Sequence, residues 1–192
     1  ILGDLIGSAL MAGYSREAER EADNLGVVHT MRAGYNPYSM LVGMEKLEAM
    51  SGKANYGLFS THPDTVNRVN AIRGQINNDF KVRPVVTEKD KTAQVVDGAW
   101  SLPAFHVKYA GYTPRMRAHL AAGKIYRVTS LPDYSSDKLY VNDLENAMAV
   151  YYDEDREPVA VVTPQDASAN GLSGMNDMAQ LIVVRIRERA GR

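Results

Sequence analysis

The chain has 192 residues, 45% of them hydrophobic, which is enough to bury a core of ordinary size and leaves room for two small domains. Its 22 basic and 23 acidic side chains leave a formal net charge of -1, far from the basic excess of a general nucleic-acid binder, so nucleic acid is excluded as an expected partner. No cysteine occurs, which removes disulfides and thiolate metal sites and restricts any metal to nitrogen and oxygen ligands.

The first apolar run, ILGDLIGSALMAG, is broken by Asp4 and is too short for a membrane span of roughly 20 residues. It begins with Ile1 and has no basic region ahead of the apolar segment, so the expectation is a start inside a larger gene product. Residues 1–77 read as mostly helical. Ser15 is the expected N-cap of a helix of about five turns, with Glu17 and Glu19 in its first turn and Gly34 at its end. Asn36 and Pro37 open a second helix, whose apolar stripe is Met40, Leu41, Met44 and Leu47 and whose stop is Ser51 and Gly52. After the loop YGLFSTHPD, a third helix carries the stripe Val66, Val69, Ile72 and Ile76, with Arg68 and Arg73 expected on other faces.

Beyond residue 77 the texture changes to short β-branched and aromatic runs between turn residues, which marks a second, α+β domain over 78–192. KVRPVVT, KIYRVTS, NAMAVYYD and EPVAVVT are the expected strands, the last two forming a hairpin across EDR. Between the first two of them lies one helix, capped by Thr113, with Pro114 at its first position and Gly123 as its stop. The closing run MAQLIVVRIRERAGR fits a strand or a helix, and periodicity alone does not arbitrate. Its arginines, mixed with Glu188, read as a solvated terminus before a lipid or acidic-partner contact.

The run GYSREAEREADNLG concentrates charge on a helix. Glu19 and Asp23, four residues apart, lie on one face, so a single object can meet both carboxylates. Spacing alone favours a solvated face, since charged neighbours at that interval usually are one. Glu17 and Glu21 point elsewhere and read as solvated. His29, His106 and His119 have no partners at metal-ligand spacing and read as structural.

GYSREAEREADNLG, followed by MRAGYNP and then STHPDTVNRVNAI, resembles the C-terminal half of the HtpX-like zinc metallopeptidases, which include the CAAX prenyl endopeptidases and the BepA-like envelope proteases. The resemblance covers residues 1 to about 77 and implies an α+β protein, the helical C-terminal half of a gluzincin-type peptidase domain followed by a small α+β domain. In that family two histidines of an HExxH helix and the first Glu of a later ExxAD helix hold Zn2+. The match makes Glu19 the third ligand and Asp23 the carboxylate that orients a ligand histidine from behind. His62 in STHPD matches a histidine that can fill the fourth position and block the catalytic water; the competing reading is that it only helps begin the helix at Pro63.

One departure is decisive: HExxH is absent from the 192 residues. That motif carries the general base and most of the metal affinity, so this chain alone is expected to be inactive. Two functions from different classes follow. One is a share of a zinc metalloendopeptidase whose HExxH portion lies outside these residues. The other is a non-catalytic interaction module that keeps the peptidase scaffold. The resemblance implies protein or peptide substrates, possible membrane association and a bacterial envelope location.

Overall fold

The computed structural model describes residues 2–51 and 65–191, so His62 and the loop around it lie outside the described residues. Helix α1 spans Leu2–Arg32. It runs straight through Ser15, which is therefore interior to the helix and not its N-cap: the apolar start continues the same helical register. Gly34 closes α1 at φ +71°, the left-handed conformation glycine adopts without a Cβ penalty. The Tyr35 N–H donates to the Thr30 carbonyl at 3.1 Å and the Gly34 N–H to Met31 at 3.2 Å, the paired bonds of a Schellman ending.

Helices α2 (Ser39–Ser51) and α3 (Thr65–Gly74, continuing as a wider π-turn through Asp79) bury part of each expected stripe. Leu41, Met44, Val69, Ile72 and Ile76 are in the core, whereas Leu47 and Val66 at the stripe ends are exposed. Gly43 in the middle of α2 is exposed, and a Cβ built there meets nothing within 4 Å. A glycine in a helix interior costs about 1 kcal/mol relative to alanine, and here no close packing requires it.

Strands β1 (Val85–Lys89), β2 (Thr92–Asp97) and β3 (Trp100–Ser101) form one antiparallel sheet, with Val86 opposite Val95. Strands β4 (Leu139–Leu144), β5 (Ala147–Tyr152) and β6 (Ala160–Val162) form a second, with Val150 between Val141 and Ala160. The expected β5–β6 hairpin is present. The expected strand KIYRVTS is not: helix α4 runs unbroken over Pro114–Thr129, through Gly123. Ala118, Ala121, Ala122, Ile125 and Val128 are its buried side, a helical spacing that carries on past the glycine. Gly123 serves a contact there instead of a stop, since a Cβ on it would lie 1.9 Å from Asn36 Oδ1 and 3.0 Å from Tyr38 Cδ2. Thr113 does cap α4, accepting from the Met116 N–H at 3.3 Å, with Pro114 in the first turn.

Helix α5 (Pro164–Ala169) opens on a capping box between Thr163 and Asp166, and α6 (Met175–Ala190) settles the ambiguous closing run as a helix. Met178, Ala179, Ile182, Val183 and Ile186 form its buried stripe. The protein is therefore α+β. One apolar core joins Val27, Tyr38 and Leu41 of the helical segment to Ala118 and Ile125 of α4 and Ile182 of α6. The Trp100 indole, 2% exposed, donates to the Arg185 carbonyl at 2.7 Å and ties the first sheet to α6.

Candidate functional site

Glu19 and Asp23 share the inward side of α1. Asp23 is 6% exposed, and the Glu19 side chain is 19% exposed. A third residue, Arg68 of α3, reaches them both. Its Nε donates to Asp23 Oδ2 at 2.7 Å and its Nη2 to Asp23 Oδ1 at 2.8 Å, a bidentate fork, while Nη1 lies 3.7 Å from Glu19 Oε2. The solvated-face reading therefore fails for this pair, whereas Glu17 and Glu21 are exposed. Beside the fork lies a cavity of about 280 Å³, lined by Arg20, Asp23, Asn24, Asn67, Arg68 and Ile72.

Arg68 is the residue that sequence reasoning misplaced. Its signal was available: it stands four residues before Ile72, one turn along the buried side of α3, where a cation requires a partner. The other expected residues lie apart from this pair. His29 is exposed on the last turn of α1, and His106 is half-buried in a loop. His119 is 1% exposed on α4, stacked on Tyr38 at 5.0 Å between ring centroids, with Nδ1 3.6 Å from Glu45 Oε1.

A catalytic zinc takes three protein ligands, and among the described residues no group of three His, Asp or Glu side chains is placed to hold a metal. The carboxylates on α1 fit one corner of such a site. Glu19 offers a hard oxygen donor next to a second carboxylate held rigid by a guanidinium.

Residues 2–76 match the model of peptidase family M48, which supports a metallopeptidase-related role for this segment. The same segment resembles the metalloprotease YcaL of Escherichia coli (strain K12), with 31% identity over 75 residues, covering 39% of this chain and 30% of YcaL. The chain thus spans about a third of the length of that relative. Residues 84–191 match the model described as a domain of unknown function (DUF8459), and because that match covers more than half of the chain, the protein belongs to that family. No solved structure matches the chain.

Proposed function

We propose that residues 2–76 are the C-terminal portion of an HtpX-like, gluzincin-type zinc metalloendopeptidase domain and that Glu19 is its third zinc ligand. Asp23 is the residue that orients a ligand histidine supplied by an HExxH-bearing portion outside these 192 residues. The observation that carries the reading is the Arg68 fork. It ties α1 to α3, the helix that follows the STHPD motif, and holds both carboxylates on the inner face of α1. Zinc bound at such a site supplies Lewis-acid activation of the water that attacks a peptide carbonyl. This chain's own part is to bind with Glu19, to position with Asp23 and to fix both with Arg68. His62 is the candidate for an inhibitory fourth ligand. We place the whole protein in the bacterial envelope, acting on protein or peptide substrates in quality control, with possible membrane association. Among the described residues no helix is long and apolar enough to cross a membrane.

The same fork favours a second reading, because both oxygens of Asp23 already receive N–H donors from Arg68. In that reading the protein is an interaction module in which the acids and Arg68 serve only to hold two helices together. Zinc content of the polypeptide that includes the HExxH segment decides between the two. One zinc per chain in the native protein, lost in Glu19→Ala while the far-UV spectrum and melting temperature without zinc stay unchanged, supports the peptidase. Retention of zinc in Glu19→Ala, or no zinc in either protein, refutes the assignment of Glu19.

A further inference from the structure

A larger cavity, about 450 Å³, lies between α2, α4 and the edge strand β6, where the M48 segment meets the remainder of the chain. Its volume is in the range of small-molecule sites. The walls are apolar, with Val42, Leu120, Ala121, Val159 and Ala160 among them.

Three of the polar side chains in those walls are engaged within the fold, beside Ser39, Glu157 and the phenols of Tyr109 and Tyr112. Asn36 accepts from the Tyr38 N–H through Oδ1 at 3.0 Å and donates through Nδ2 to the Leu120 carbonyl at 2.8 Å. Arg117 holds Asp166 and the carbonyls of Val107 and Val161. Lys124, 1% exposed, is held by Asp155 Oδ2 at 2.6 Å and Glu157 Oε2 at 3.4 Å. Lys46 is different. Its ammonium sits 3.6 Å from the centroid of the Tyr112 ring and, among the described residues, has no carboxylate partner. An apolar body with one acidic head would satisfy both the apolar walls and Lys46.

Gly43 is the second, independent observation. It lines this cavity, and the space beside its Cα is open, so any larger residue there would project into the room a ligand needs. No neighbour within 4 Å accounts for the glycine, and a side chain in its place would narrow the cavity.

We infer that the cavity between α2, α4 and β6 binds an aliphatic monocarboxylate, the chain along Val42, Leu120 and Val159 and the carboxylate on Lys46 over Tyr112. This site stands apart from the Glu19 pair and does not depend on the peptidase reading.

Titration calorimetry of the 192-residue chain with dodecanoate, and separately with the acetylated tripeptide Ac-Leu-Val-Leu, tests it. The expected result is saturable one-to-one binding of dodecanoate that weakens about tenfold or more in Lys46→Met and is lost in Gly43→Phe. Gly43→Phe enters open space on a helix, so it folds, and an unchanged or raised melting temperature confirms that blockage and not unfolding removes the binding. Three results overturn the inference. They are no saturable binding below about 1 mM, equal binding by Gly43→Phe, and tighter binding of the tripeptide than of dodecanoate, which would assign the carboxylate to a peptide terminus.

Discussion

Asp166→Asn removes one charge from a deeply buried ion pair with Arg117 and leaves the shape almost unchanged. The Asp166 side chain is 0% exposed and that of Arg117 6%. One carboxylate oxygen accepts from the His106 N–H at 2.8 Å and from Arg117 Nη1 at 3.3 Å. The other accepts from Arg117 Nη2 and from the Thr163 N–H and hydroxyl, the latter at 2.8 Å. Whichever oxygen becomes an amide nitrogen, at least two donors then face a donor, and the guanidinium is left buried without a counter-charge. Removing one partner of a buried pair costs about 3–5 kcal/mol. For a chain of this size that is a fall in melting temperature of roughly 6–20 °C. Urea unfolding followed by the emission of Trp100, the one tryptophan in the chain, measures it directly. A loss below about 1 kcal/mol would mean that the pair behaves as a surface pair and would refute the argument.

The pH dependence gives the same residue a second test. Burial pushes the Asp166 carboxyl up, and the hydrogen bonds from Arg117, His106 and Thr163 outweigh it, so the group sits below the ordinary carboxylate range. A depressed folded value contributes stability that is present above the unfolded value and is lost as pH falls toward the folded one. The native chain therefore loses stability as the pH drops below about 4, and Asp166→Asn shows a shallower fall over that window.

Two further substitutions test the contact of α4 with the turn ahead of α2 and the open space on α2. Gly123→Ala places a methyl where a Cβ lies 1.9 Å from Asn36 Oδ1, so it lowers stability by about 1–3 kcal/mol or more by calorimetry; a neutral result would show that the turn at Asn36 gives way freely. Gly43→Ala has the opposite sign, because nothing lies within 4 Å of its Cβ, and raises the melting temperature by an amount worth up to about 1 kcal/mol; a decrease would show a hidden packing role.

Local signals carried much of the fold. The stripes of α2 and α3, the Thr113–Pro114 helix start and the β5–β6 hairpin are each written in neighbouring residues. Errors came where a local signal had a distant cause. Gly123 reads as a stop because its contact, Asn36, is 87 positions away in the chain, and KIYRVTS then reads as a strand on its β-branched content. Strand β4 was missed because Asn142 and Asp143 look like turn residues, although they sit on an exposed stretch of the strand paired with Ala149 and Met148. At the candidate site, spacing put Glu19 and Asp23 on one face. That this face turns inward is decided by Arg68, 45 residues beyond Asp23, and no periodicity in α1 encodes it.

The Gly123–Asn36 contact also constrains the order in which this protein can change over descent. A side chain at position 123 is costly until position 36 has become smaller, because a Cβ and the Asn36 amide claim the same volume. Yet shrinking position 36 first strips the Tyr38 N–H and the Leu120 carbonyl of their partner. Each single step is penalised, so the two positions are inherited as a unit, a lock between the turn ahead of α2, in the segment that matches the M48 model, and α4 of the DUF8459 segment.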